Sequence, residues 1–383
     1  MAIEDRTKIG DVAERAGLRR LHILAWRDLD DVEAGGSEVH ADRIATRWAE
    51  AGLDVLLRTS RAHGQVTDAR RNGYRVIRRA GRHSVFLDAP LQELTRRNGR
   101  RDGLLEVWNG LPFFAPLWAR GPRATFVHHV HADMWRQVMT PGLARLGEAL
   151  EVRIAPRCYQ RTRVVTPSPS SRRQIIDRLG IPAAQVTTVP NGVDDRFRPG
   201  GSRAPHPRIA FVGRLVAHKR VDDLILAAAA ARTSVPDLAL DIAGQGYERP
   251  RLERLVTDLE AEGWVRFLGH VSDDDLVDVY RTAWVAASAS TDEGWGLSLT
   301  EAAACGTPAV ATRIAGHVDS VQDGVSGLLA SSVEELGGAL TRVLGDAALR
   351  ARLSEGARRT AEALTWDRTA LGVLQAVAGL PVA

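Results

Sequence analysis

Lysine is nearly absent from this chain: of 51 basic residues, only Lys8 and Lys219 are not arginine. Cysteine is equally scarce. Cys158 and Cys305 are the only two in 383 residues and lie far apart, which excludes a disulfide framework and a four-cysteine zinc site. No apolar run approaches ~18 residues and no charged-then-apolar leader opens the chain, so neither a spanning helix nor an export signal is expected. The expectation is a cytoplasmic protein, with the inner face of the membrane as a peripheral contact. Aromatic residues make up 5%, and 47 acidic residues nearly balance the basic ones. Without a basic-plus-aromatic pattern, the pI near 9.5 does not make nucleic acid a partner.

What is present suits a large core. With 44% apolar residues over 383 positions, the chain is long enough for two domains. Its first 18 residues contain TKIGDVAERAG, similar to the opening helix of a LacI-type or MerR-type DNA-binding head. A recognition helix should follow, but Arg19-Arg20 lead into LHILAW, an apolar run of strand type. Residues 1–18 are therefore expected to be an amphipathic or loose extension.

From residue 21 strand, loop and helix alternate. After LHILAW and a polar loop, Ala41, Ile44, Ala45 and Trp48 fall at helical spacing, Gly52 supplies a stop, and LDVLLRTS completes a βαβ unit with a parallel sheet. YRVIRR, GLLEVWN, ATFVHH and RVVTPS are further strands. Near residue 200 the composition changes to RPGGSRAPHP, and the alternation restarts with RIAFVG, ALDIAG, WVRFLG, WVAASAS and PAVATR. The pattern predicts an α/β protein with two doubly wound, Rossmann-like domains facing a cleft: an acceptor domain at 19–195, a donor domain at 196–365 and a C-terminal helix at 366–383 crossing back to the first. Loops at the carboxyl ends of strands are where chemistry is expected.

Gly35-Gly36-Ser37 lies directly before a helix, where converging N–H groups and the helix dipole suit the diphosphate oxygens of a donor; the plainer reading is a tight turn capped by Ser37. FVGRLVAHKR places Arg214 and Lys219 on one loop, a guanidinium and a compact ammonium suited to a diphosphate. Gly244 and Gly246, then His270 and Val271, end the next two strands and are placed to line a base and ribose. The stretch DEGWGLSLTEAAACGTP follows WVAASAS. Gly294 and Gly296 allow close backbone approach, Glu293 suits sugar hydroxyls, and the backbone around Leu297 and Ser298 suits phosphate. Ser298-Leu-Thr-Glu301 has the form of a capping box, so Glu301 is either a cap or an acceptor for ribose hydroxyls.

The pattern E-G-W-G-L-x-x-x-E followed by A-C-G-T-P resembles the signature of the family-4 retaining glycosyltransferases of GT-B fold, a glutamate, seven residues and a second glutamate. Further resemblances occur in order: Gly35-Gly36-Ser37-Glu38, Asn191-Gly192-Val193-Asp194, Gly213-Arg214 with Lys219, Gly316, and Asp323 to Gly327. Together they span about residues 21 to 370. The resemblance implies transfer from a UDP-, GDP-, ADP- or TDP-sugar to a sugar, lipid or small-molecule hydroxyl, without metal, cofactor or protein nucleophile. Arg214 and Lys219 would stabilise the departing diphosphate. Glu293, Trp295 and the neighbouring loop would hold the donor. A histidine near the transferred sugar is expected among His128, His129 and His131, with His128 and His131 taken together. Alternation would set His129 and His131 on one face. Asn109, His129 and Trp135 fall on the acceptor side, with Phe113, Phe114 and Trp118 close by in sequence. Trp295 replaces the family's usual phenylalanine, Ser298 a proline or valine, and Asp319 a glutamate. Two other readings are a GT-B epimerase of sugar nucleotides and a LacI-like regulator.

Overall fold

The computed structural model describes residues 2–131, 135 and 140–382. The chain divides into two compact units, residues 1–192 with 365–383, and residues 193–364.

The first unit is built on eight strands: β1 (Arg20–Leu24), β2 (Asp54–Thr59), β3 (Asp68–Arg71), β4 (Tyr74–Arg78), β5 (Gly103–Trp108), β6 (Arg123–Val127), β7 (Arg163–Thr166) and β8 (Val186–Thr188). Their order is β3-β4-β2-β1-β5-β6-β7-β8, parallel throughout except for β3, which returns antiparallel beside β4. The central strands are apolar because helices cover both faces. Helix α1 (Ala2–Arg15) is not a loose extension: Ile9, Val12, Ala13 and Leu18 are buried in the same core as Leu21, Trp48 and Val377. Strand β1 follows directly, leaving no place for a recognition helix. Helix α2 (Gly36–Glu50) buries Ala41, Ile44, Ala45 and Trp48 as their spacing requires, and Trp48 Nε1 donates to the Ala370 carbonyl oxygen at 3.0 Å. The last helix, Trp366–Ala378, thus belongs to this unit.

The second unit holds six parallel strands: β9 (Arg208–Val212), β10 (Ala239–Ala243), β11 (Val265–Gly269), β12 (Val285–Ser288), β13 (Ala309–Thr312) and β14 (Gly327–Ala330), in the order β11-β10-β9-β12-β13-β14. Chain order reverses at β1 in the first sheet, between β2 and β5, and at β9 in the second, between β10 and β12. Loops leaving the carboxyl ends of strands at such a reversal diverge and leave a crevice for a ligand.

Candidate active site

In the second unit the loops after β9 and β12 meet at that reversal. Thr291 N donates to the His218 carbonyl oxygen at 2.8 Å. Lys219 Nζ, at the end of the short 3-10 turn Ala217–Lys219, donates to Glu293 Oε1. Ser290 Oγ donates to the same oxygen at 2.9 Å. Both members of the ion pair keep only a small opening, 18% and 16% exposed. Burial alone would raise the Glu293 pKa; the Lys219 charge, then His317, and the bonds from Lys219 and Ser290 outweigh it and bring the carboxyl down to about 2. Arg214, half-buried on the β9 loop, has no ion pair among the described residues.

Glycine fixes these loops by close approach. Gly316 has φ +69°, and a Cβ there would lie 2.3 Å from the Glu293 carbonyl oxygen and 2.9 Å from Trp295 N. The loop carrying Glu293 is therefore seated on bare backbone. Gly244 and Gly246 play the same part beneath Arg214: a Cβ on either would meet the carbonyl oxygen of Gly213 at 1.9 Å or of Leu215 at 2.1 Å. Both glycines are therefore required for the backbone of this loop to pack against its neighbour.

The helix after the motif starts at Leu297, one residue before the expected position. Gly296, at φ +101°, is its N-cap, and no side chain caps it. Ser298 thus sits inside the first turn and the capping box does not form. The N–H groups of Leu297 and Ser298 have no acceptor among the described residues, the condition in which a helix start attracts an anion. Glu301, freed from capping, accepts the Tyr280 hydroxyl at 2.8 Å. Gly294 lies between Glu293 and Trp295, whose indole is buried with Nε1 unpartnered. His270 and Val271 line a different feature, a cavity of about 420 Å³ with Arg266, Asp275 and Asp278.

His317 is a residue that motif reading missed. It is buried, and its Nδ1 lies 2.9 Å from the Thr312 carbonyl oxygen, which can only accept, so Nδ1 carries the proton. Burial lowers its pKa against the opposing pull of Glu293. A Cβ at Gly296 would lie 3.3 Å from its Cδ2, so the imidazole supports the helix start. The signal available was its place directly after Gly316.

In the first unit, the loop after β1 ends at Gly35, whose N–H donates to Glu38 Oε2 at 2.8 Å. Gly35 and Gly36 open α2, and Gly35 rather than Ser37 is the N-cap. Ser37 Oγ instead accepts Asn109 Nδ2 at 3.3 Å, which joins the loops after β1 and β5. Strand β6 ends at Val127, so strand alternation does not govern the histidines. The rings of His129 and His131 nonetheless stack at 4.3 Å, while His128 turns inward to His40, at 4.8 Å. Burial, then the neighbouring histidines, depress the His128 pKa well below its ordinary value. His131, whose side chain is 18% exposed, is the more accessible of the two favoured rings. Buried Glu151 organises this corner: it accepts His131 N at 2.9 Å and Trp135 Nε1 at 2.8 Å. Nothing in the local sequence marks Glu151, because its role depends on a π-helical turn, Leu150–Ile154. Phe113 is core, and Phe114 and Trp118 are half-buried.

The architecture of both sheets is that of GT-B glycosyltransferases. Sucrose-phosphate synthase from Thermosynechococcus elongatus superposes with a TM-score of 0.78 at 21% identity, covering 92% of this chain and 96% of that one. Anabaena HepE, solved with UDP and glucose, superposes with a TM-score of 0.73 at 18% identity, covering 94% and 100%. In sequence, the family described as Glycosyltransferase Family 4 matches residues 34–197, and Glycosyl transferases group 1 matches residues 193–360. The D-inositol 3-phosphate glycosyltransferase of Acidothermus cellulolyticus is 36% identical across 89% of this chain and 85% of its own length. With the Salinispora arenicola enzyme of the same name the match is 37% identical over 56% of this chain and 54% of that protein, so there the chain spans about half of the relative's length. The chain belongs to the family-4 glycosyltransferases.

Proposed function

We propose that the protein transfers a sugar from a nucleoside-diphosphate sugar to an acceptor hydroxyl, with retention at the anomeric carbon and without a metal ion. The observation that carries this reading is the pairing of Lys219 with Glu293 at the crevice of the second sheet, beside free Arg214 and an uncapped helix start. A diphosphate needs converging positive charge, which Lys219, Arg214 and the Leu297 and Ser298 N–H groups supply. A sugar needs a carboxylate kept ionised to accept its hydroxyls, which Glu293 is. Glu301 takes ribose hydroxyls while holding Tyr280. The acceptor belongs to the first unit, near Ser37, Asn109, His129, His131 and Trp135. Because His128 is buried and neutral, His131 is the ring that contacts substrate. In a front-face reaction the departing phosphate takes the acceptor proton, so no protein nucleophile is required. The relatives' name makes inositol phosphate the first acceptor to try.

The test is calorimetric binding of UDP, GDP, ADP and TDP, then of their sugar conjugates, with and without divalent metal, followed by transfer to inositol phosphate. Selective binding without metal that is abolished in Lys219→Ala supports the reading and identifies the nucleotide. Absence of binding to all four refutes it.

A further inference from the structure

Helix α3 (Val85–Leu94) turns the wrong residues outward for a water-facing surface. Val85, Ala89, Gln92 and Glu93 are its buried side. Leu87, Leu91 and Leu94, spaced four and three residues apart on the opposite side, are 80%, 60% and 58% exposed. The short helix α4 (Ala115–Trp118) packs beside α3 and adds Leu117, 69% exposed. A leucine stripe of this kind is rare on a surface that faces only water.

Charge identifies what covers it. The two carboxylates of α3 are already committed, Asp88 to buried Arg58 and Glu93 to His22 and Arg101. Arg96, Arg97 and Arg100, exposed just beyond the helix, have no ion pair among the described residues. The Arg101 guanidinium lies over the half-buried Trp118 ring, 5.4 Å from its centre. The patch is thus apolar at its centre and cationic at its rim. A second copy of this chain is a poor occupant, because a two-fold contact sets a patch against itself and would oppose arginine to arginine. An anionic bilayer satisfies both halves: leucines enter the headgroup and acyl boundary while the arginines remain at the phosphates.

We propose that α3, with Leu117 and Arg96, Arg97 and Arg100, docks the protein on anionic phospholipid. The test is flotation of the full chain with vesicles of phosphatidylcholine alone or with about a third phosphatidylglycerol, the latter chosen for its negative surface. Binding is expected only to the anionic vesicles and weakens with salt. Each arginine changed to alanine should weaken it roughly fivefold, the equivalent of ~1 kcal/mol per basic residue near such a surface. The pair Leu87→Ser and Leu91→Ser should weaken it at least about tenfold. Both sets lie outside the binding machinery, so thermal midpoint and nucleotide binding should match the wild type. Failure to float with anionic vesicles overturns the proposal, as does flotation unaffected by either set. A wild-type dimer that the leucine changes convert to monomer in sedimentation overturns it too, and assigns the face to a second copy.

Discussion

Replacing Lys219 by methionine keeps most of the side chain's bulk and removes the charge facing Glu293. In the wild type the Glu293 carboxyl is brought from its ordinary 4.5 down to about 2. At ~1.36 kcal/mol per pH unit, that difference stabilises the folded second unit by about 3 kcal/mol. Because the folded pKa lies below the unfolded one, the contribution is complete above about pH 5 and is lost as pH falls through 4.5 towards 2. In Lys219→Met burial is opposed only by His317 and Ser290, so the folded pKa rises back towards or above the unfolded value, and the loss of stability on acidification shrinks or reverses. Glu293→Gln removes the titration altogether. Hydrogen exchange of peptides from the second unit, pulse-labelled along a urea series at several pH values, reads this unit apart from the first. The stability gap between wild type and Glu293→Gln should shrink as the solution is acidified from about pH 5 towards 2, and Lys219→Met should lack that acid-side loss or gain stability on acidification. A gap that is constant with pH would refute the claim that Lys219 sets the charge state of Glu293.

Three further outcomes are expected. Gly316→Ala, which would drive a Cβ against the Glu293 carbonyl oxygen, should cost about 1–3 kcal/mol and weaken nucleotide binding, whereas Gly338→Ala, in open helical space, should be neutral or stabilising in the same urea assay. Glu151→Gln leaves only one acceptor oxygen for two donors and should raise the acceptor KM while nucleotide affinity by calorimetry is unchanged. Buried Glu106, pushed up by burial against its bonds from Tyr159, Phe113 and Thr125 to about 7, binds its proton more tightly when folded. The wild type should therefore lose stability between about pH 4.5 and 7, and Glu106→Gln should flatten that slope in thermal scans.

Much of the strand order could be read from apolar runs, since both sheets are covered on two faces and their central strands need no alternation. The strands that escaped are the edges. Strand β3 is Asp-Ala-Arg-Arg, and β8 and β14 are three and four residues long, so none presents an apolar run of readable length. Of the two readings of residues 1–18, the loose one does not hold, because Ile9, Val12 and Ala13 find their partners in the distant Trp366–Ala378 helix, which no local window contains. At the site, Lys219 stood out through composition and Glu293 through spacing. Ser298 misled because S-x-x-E is satisfied by sequence alone, while the φ of Gly296 decides where the helix begins. Glu151 could not be found by pattern, because a buried carboxylate is defined by what surrounds it, and His317 offered only its place after Gly316.

The chain leaves the first unit after Gly192 and returns at Thr365, and the two strands of that passage are tied by Val193 N donating to the Leu364 carbonyl oxygen at 3.0 Å. The second unit is therefore an insert whose ends are neighbours, and both ends of the whole chain belong to its host. Such an insert can be exchanged as a cassette without cutting the core that holds α1, α2 and the last helix together. A chimera spliced at these two junctions would swap every residue from Val193 to Leu364 in one step and leave Ser37, Asn109, His131 and Glu151 untouched. Recombination at the same seam would let the two units diversify at separate rates.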